Sequence, residues 1–553
     1  MAAAAARRAS VTTGAPFDYV IVGAGTAGCV LAARLSEDPH IRVCLLEAGG
    51  PARHPFIQVP ALVGAAIMHP GLTWGLRTEP QVALNNRSLP LPRGKVVGGT
   101  GSINGMAYHR GHPRDYDDWA AAGNAGWSWQ EVLPYFRLTE NNVDRRDAGL
   151  HGVDGPIHVT FIAKPNRLNQ AFLDAFAEVG GYPACDDFTG LDPAGYGLRQ
   201  GTIHRGRRDS SARAMLMPAL HRANLTLLTR TAVTGIRIEA GRATGVDVSC
   251  ASGPRTVPAS REVLLCAGAV HSPQLLMLSG VGPARHLESL DIRVKADLDG
   301  VGANYHDHPA VPIALEMRDT TSYGLSWRTL PRSAWNLAQY AAARRGPLAS
   351  NVFESTAFIR SSAHADRPDI QIAFQPARRN PNTFPLPLGH GFAMSAVNLY
   401  PRSRGEVRLQ SSDPRIAPRV NPNILADPED GAPLLRGLIL ARQLCDTSAF
   451  APYEATEVRP GRGARTDADL LAYVREAAAT AHHPVGSCRM GIDAMAVVDP
   501  ALRVRGIDAL RVVDAAIFPG IVGGNTNAPV VMVAEKAAAL ITGRLQPGGR
   551  HGG

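Results

Sequence analysis

At 553 residues the chain is too long for one hydrophobic core, so two domains or an interleaved pair are expected. Its composition, 45% hydrophobic and 19% charged with 56 Gly and 42 Pro, is that of a loop-rich globular protein and excludes a small disulfide scaffold, a collagen-like or coiled-coil fibre and a disordered chain. The net charge of +9 comes from 57 basic residues, 53 of them Arg, but they are scattered; runs such as Arg205, Arg207, Arg208 read as solvated faces, and no nucleic-acid partner is expected.

Residues 1–15 read as a disordered tail, Ala-rich with Arg7-Arg8 but lacking the apolar run of a secretory signal. Phe17 to Val22 is an apolar run of strand length. Gly23-Ala-Gly25-Thr-Ala-Gly28 follows, and Cys29 to Leu35 reads as a helix. A second strand, Arg42 to Leu46, ends at Glu47, which completes a βαβ unit. Glycines at these positions let backbone approach a pyrophosphate, the helix N-terminus offers amide donors, and a carboxylate at the next strand end accepts from a ribose hydroxyl. A dinucleotide site is expected here. The long stretch Phe56 to Leu76, broken by Pro60 and Pro70, reads as a loop on the active-site side rather than a spanning helix, with membrane-surface contact as the lesser alternative to the loop.

Further along, Leu225 to Leu228, Glu262 to Cys266 and Leu510 to Val513 are candidate strands of the same nucleotide domain, the last ending on Asp514. Ligands in open α/β sheets bind at such strand ends. Phe353 to Ile359 and Ile370 to Phe374 alternate like antiparallel strands, and Leu434 to Leu444 has helical spacing. Asn527-Ala-Pro529, before the apolar Val530 to Ile541, reads as a helix N-cap with proline in the first turn. The fold class is therefore mixed α/β: a Rossmann-like nucleotide domain (16–155, 200–310 and 475–545) interleaved with a substrate domain (156–199 and 311–474) on an antiparallel sheet with helices, and a tail at 546–553. Seven cysteines, an odd count with no C-x-x-C, suggest reduced thiols and a cytoplasmic address.

Three more segments carry a resemblance. Gly94-Lys-Val-Val-Gly-Gly-Thr-Gly-Ser-Ile-Asn104 precedes Tyr108-His-Arg-Gly-His-Pro; Gly268-Ala-Val-His-Ser-Pro-Gln lies mid-chain; His483-Pro-Val-Gly-Ser-Cys-Arg-Met-Gly491 pairs with Gly524-Asn-Thr-Asn-Ala-Pro529. Together with the glycine turn they resemble the signatures of the glucose-methanol-choline oxidoreductases from about Phe17 to Ile541, with the bacterial choline, sorbose and alcohol dehydrogenase branch the nearest in look. The resemblance implies FAD rather than NAD. It places Gly23, Gly25, Thr26, Ala27, Gly28 and Glu47 on the ADP half, Trp74 and Val233 along the cofactor, Val97, Gly98, Asn104, Gly105, Met106 and Ala107 by the isoalloxazine, and Asp514 and Ala515 at its middle. Some relatives attach FAD through a His just before the signature Asn; Ile103 stands there, so non-covalent FAD is implied.

Alcohol oxidation by hydride transfer needs a base and an electrophile. A lone His is more often structural, but the resemblance makes His483 the general base and Asn527 its partner. The helix N-terminus at Asn527 would also favour a reduced, anionic flavin. His482 replaces an aromatic residue of some choline-oxidising relatives. Glu354 lies about where those relatives hold a substrate ammonium, although a structural Glu at a strand start is the blander reading. His109, His306 and His308 lack the partners of a metal site, and none is expected. The expected activity is FAD-dependent oxidation of a primary or secondary alcohol to the aldehyde or ketone, with oxygen or a quinone or dye taking the electrons. Choline dehydrogenase is the alternative within the class; hydroxynitrile lyase, fatty-acid photodecarboxylase or a non-catalytic flavin scaffold are the alternatives outside it.

Overall fold

The structure, a computed structural model, describes residues 16–147, 149–362, 364–378 and 387–543; the tails expected at 1–15 and 546–553 lie outside them. Two seven-stranded sheets carry the architecture. In the first, the strands run in the order Leu225–Thr229, Val43–Glu47, Phe17–Val22, Gly253–Leu265, Arg242–Cys250, Ala232–Glu239, and Leu510–Val512 pairs beside Gly253–Leu265. Phe17–Val22 is parallel to both neighbours, with Val22 opposite Leu46 and Leu265. Val20, Ile21, Val43, Leu45, Leu46 and Leu264 are wholly buried, which is why these strands appear in sequence as unbroken apolar runs.

Two features of this sheet depart from the sequence reading. Gly253–Leu265 is a 13-residue strand of which only the end was legible. Its first half pairs antiparallel with Arg242–Cys250 as part of a half-exposed hairpin, so no apolar run marks it. The stretch Phe56 to Leu76 is no loop: it holds the short helices Pro55–Gln58, Pro60–Leu62 and Val63–Met68. Pro55 and Pro60 stand at helix starts, where a missing N–H costs nothing, and so initiate rather than break.

The second sheet is antiparallel, ordered Thr456–Arg459, Pro309–Glu316, Gly391–Asn398, Ile370–Gln375, Ser355–Ile359, Gly195–Leu198, with Ala479–Thr480 beside Pro309–Glu316. One face, through Ile313, Ile372, Phe374 and Met394, buries against helices Arg167–Val179 and Gly431–Cys445 in a single apolar cluster. The alternate residues Ala310, Pro312, Ala373, Ser395 and Val397 face a cavity. The chain enters and leaves this sheet between strands of the first, and the C-terminal helix Asn527–Thr542 returns to pack on Thr26–Leu35. Among the described residues no helix is long and apolar enough to cross a membrane.

Candidate active site

The site is built where the ends of the first sheet's parallel strands meet the open face of the second. Phe17–Val22 ends at Gly23, with φ +98°, and helix Thr26–Leu35 begins after Gly25. Gly28 is required for contact: a Cβ there would lie 2.0 Å from the Gly23 carbonyl oxygen. At the adjacent strand end the buried Glu47 carboxylate accepts from the N–H groups of Ala24 (3.1 Å) and Gly49 (2.8 Å). Burial pushes its carboxyl up to about 7. Asp514 accepts from Gly268 N (2.8 Å), Ser272 Oγ (2.6 Å) and Ala516 N (2.7 Å), which fixes the start of helix Gly268–Leu278 against the last strand.

These strand ends open on a cavity of about 1460 Å³, larger than the roughly 300–1,000 Å³ of a common small-ligand pocket. Gly23, Gly25, Thr26, Ala27, Glu47, Trp74, Asn104, Gly105, Met106, Ala107, Val233, Asp514 and Ala515 all line it. Gly28, Val97 and Gly98 do not. Gly28 packs behind the turn, Val97 is buried, and Gly98, at φ +90°, donates its N–H to Ala24 O (2.6 Å). Gly28 and Gly98 brace the glycine turn, while the Val97 N–H donates to Gly50 O (3.0 Å). A cradle that a Cβ would fill, a helix N-terminus and a buried strand-end carboxylate fit a dinucleotide, and Ile103, wholly buried, offers no atom for covalent attachment.

Around the predicted flavin positions, Asn104 Oδ1 accepts from Met106 N (3.0 Å) and from Arg208 Nη1 (2.6 Å). Arg208 is therefore no solvated residue: it is 3% exposed, donates through Nε to Ile57 O (3.1 Å), and burial pushes its guanidinium down to about 9.

His482 and His483 follow the short strand Ala479–Thr480, and both line the cavity. The His483 backbone N–H donates to Asp307 Oδ1 (2.7 Å), its Nδ1 lies 3.0 Å from His308 Nδ1, and its Nε2 lies 2.8 Å from Asn525 Nδ2. With the Asn525 amide donating, Nε2 carries a lone pair and the ring proton sits on Nδ1, shared with His308. Burial, with His308, His482 and Arg93 nearby, holds His483 well below the ordinary imidazole range, so it is neutral. His482, at φ +67°, has Nδ1 3.0 Å from Thr480 Oγ1, and its carbonyl accepts from Arg93 Nη2 (2.9 Å).

Asn525 thus occupies the place beside His483 that the sequence assigns to Asn527. Asn527 lies in the same cavity, but its Oδ1 accepts from Thr26 Oγ1 (3.0 Å). That bond joins the N-termini of helices Thr26–Leu35 and Asn527–Thr542. Asn527 is also not the N-cap: Thr526 is, and Asn527 is the first helical residue. Nothing in the sequence ties Asp307 and His308 to His483, because they lie 176 and 175 residues before it. Glu354, the candidate for a substrate ammonium, is placed away from the cavity. It is 1% exposed and absent from the cavity wall; its carboxylate accepts from Asn166 N, Asn169 Nδ2, Tyr323 Oη and Ser350 Oγ.

A neutral imidazole sharing one cavity with a dinucleotide cradle suits redox chemistry on a hydroxyl-bearing carbon, which makes the class a dinucleotide-dependent oxidoreductase. Within it, the chain belongs to the GMC oxidoreductases, whose N-terminal region matches residues 17–310 and C-terminal region 401–534. It is 40% identical over 531 residues, 96% of each chain, to an alcohol dehydrogenase [acceptor] of Pseudomonas putida. It is 42% identical over 530 residues, 95% of this chain and 96% of the other, to an oxygen-dependent choline dehydrogenase of Sinorhizobium medicae. Among solved structures, pyridoxine 4-oxidase from Mesorbium loti superposes with a TM-score of 0.85 at 32% identity, covering 95% of this chain and 99% of that one. FAD is accordingly the cofactor, and the reaction is oxidation of CH–OH donors, with a small-molecule alcohol and an electron acceptor as partners.

Proposed function

We propose that His483 Nε2 is the general base that takes the hydroxyl proton of a primary or secondary alcohol as it becomes an aldehyde or ketone. Bound FAD supplies the acceptor for the hydride. The observation that carries this reading is the buried, neutral His483 whose Nε2 faces an amide donor at 2.8 Å inside the cavity. His308 Nδ1 holds the imidazole in the tautomer whose Nε2 is unprotonated, and as the substrate hydroxyl replaces the Asn525 amide at that lone pair, Asn525 Nδ2 is placed to donate to the substrate oxygen instead. The residues lining the cradle would hold the ADP half of the cofactor, and Asn104 to Ala107 would border its ring.

The two-domain division at 16–155, 200–310 and 475–545 against 156–199 and 311–474 is part of the same reading, supported by the two sheets between which the chain alternates. Seven free cysteines support a reducing, cytoplasmic compartment. Oxygen or a quinone or dye takes the electrons. Anaerobic mixing of the holoenzyme with a panel of alcohols should bleach the flavin, and admitting air should restore its colour only if oxygen is the acceptor. A flavin that stays oxidised with every alcohol refutes the proposal.

A further inference from the structure

Arg199 follows the edge strand Gly195–Leu198 of the second sheet and lines the cavity, yet it is only 5% exposed. Its Nε donates to Phe353 O at 2.7 Å, and its guanidinium carbon stands 5.4 Å from the centre of the Phe353 ring. That uses one of the five N–H donors of a guanidinium. Its two Nη nitrogens have no hydrogen-bond or ion-pair partner among the described residues.

The acid whose charge acts on Arg199 is Glu354. It is not available as a partner, because both its oxygens are occupied by the four donors of Asn166, Asn169, Tyr323 and Ser350. Arg208, also buried without a carboxylate, behaves differently: it donates through Nε and Nη1 to Ile57 O, Gly101 O and Asn104 Oδ1, leaves Nη2 alone without a partner, and does not line the cavity. Arg93, which does line it, donates to Pro92 O and His482 O. A desolvated cation with open donors costs free energy unless a ligand supplies the missing charge. Burial accordingly pushes the Arg199 guanidinium down to about 10.

Arg199 is on the substrate side. It follows the strand paired with Ser355–Ile359, and the adjoining residues Gly201 and Thr202 bond to the Met106–Ala107 segment beside the expected flavin ring.

We propose that Arg199 is a specificity-determining residue that binds a carboxylate carried by the substrate, so that the preferred alcohols are hydroxy acids or hydroxymethyl aromatic acids. The planar fork of a guanidinium matches the two oxygens of a carboxylate, and the Phe353 ring beside it suits an aromatic or apolar body between acid and alcohol. The inference rests on the alcohol oxidation proposed above.

The test uses the FAD-loaded wild type in two arms. In the binding arm, flavin absorbance is followed during titration with benzoate and with neutral benzamide; benzoate should bind at least about 10-fold more tightly, the lower end for a charge-assisted hydrogen bond. In the kinetic arm, 4-(hydroxymethyl)benzoate should reduce the flavin with a correspondingly higher kcat/KM than 4-methylbenzyl alcohol or choline. Arg199→Gln should abolish the benzoate preference, and Arg199→Lys, which keeps the charge but loses the fork, should retain part of it, with flavin content measured in each. Equal affinity for benzoate and benzamide in the wild type overturns the inference without any variant, as does a preference that survives in flavin-loaded Arg199→Gln. Tight benzoate binding with no flavin reduction by any alcohol upholds Arg199 and refutes the oxidation, so the two failures are distinguishable.

Discussion

Replacing His483 by Ala removes one base and two contacts at once, and the structure separates their effects. General-base catalysis contributes about 10²–10⁴-fold, or roughly 2.7–5.5 kcal/mol of barrier, so flavin reduction by alcohol should slow by at least about 10²-fold. The contacts of His308 Nδ1 and Asn525 Nδ2 are lost as well, each worth about 1 kcal/mol of stability. Flavin content should hold, since His483 makes no contact with the glycine turn or Glu47. The pH profile gives an independent check. Burial lowers the imidazole below its ordinary value, so the base form is already complete at pH 6.5 and the reduction rate should be flat above it. The rate should fall only on acidification, as the imidazolium forms and Nε2 loses its lone pair. Stopped-flow anaerobic reduction of wild type and His483→Ala, each normalised to bound FAD, measures both. Near wild-type reduction by the variant, or a wild-type rate still climbing between pH 7 and 9, would refute the assignment and turn attention to His482.

The neighbouring asparagines should part company. Asn525→Ala should slow reduction about 10-fold or more with FAD retained, whereas Asn527→Ala, which breaks the Thr26 bond between two helix ends, should loosen FAD and leave the rate of the loaded enzyme closer to normal; stopped-flow rates beside flavin content decide between them. Glu47→Ala deprives Ala24 and Gly49 of a charged acceptor worth about 1.5–3 kcal/mol, and unchanged FAD retention on dialysis would count against its role. Gly28→Ala forces a Cβ to 2.0 Å from Gly23 O and should yield protein that binds little flavin, measured by the ratio of absorbance at 450 nm to that at 280 nm, roughly.

What could be read in advance follows from how local each signal is. Phe17–Val22 and Ile370–Gln375 are visible because buried strands are apolar throughout or on alternate residues, Leu225–Thr229 because its leucines form an apolar run although it is only part-buried, and Gly431–Cys445 because one helical face packs on a sheet. The hairpin Ala232–Glu239 with Arg242–Cys250 was not, since its half-exposed residues carry no period. At the site, the glycine turn announces its own geometry, and His483 was found by resemblance. Asn525 and Asn527 differ by two positions across a helix start, where a motif match cannot say which side chain turns toward the base. Arg208 reads as one of three surface arginines until the fold shows that Arg205 is exposed and Arg208 is not.

Glu354 and Arg199 show why residue type alone misassigns charge in a cavity. They stand on adjacent strand ends, where Arg199 N donates to Glu354 O at 3.0 Å, yet the acid is saturated by protein donors and the guanidinium is left open. Charge-assisted bonds to Glu354 make it a structural node, so Glu354→Gln should first cost stability. The amide can keep its carbonyl toward the Asn166 and Asn169 donors and offer its NH₂ to the Tyr323 and Ser350 hydroxyls, which can rotate to accept. The variant should therefore fold, with a loss of about 1.5–3 kcal/mol read as a lower Tm. Removing the negative charge beside Arg199 should tighten carboxylate binding, while the KM for choline should not rise selectively over that for a neutral alcohol of similar size. A selective loss of choline affinity at unchanged Tm would instead place Glu354 in contact with substrate and refute the assignment of both residues.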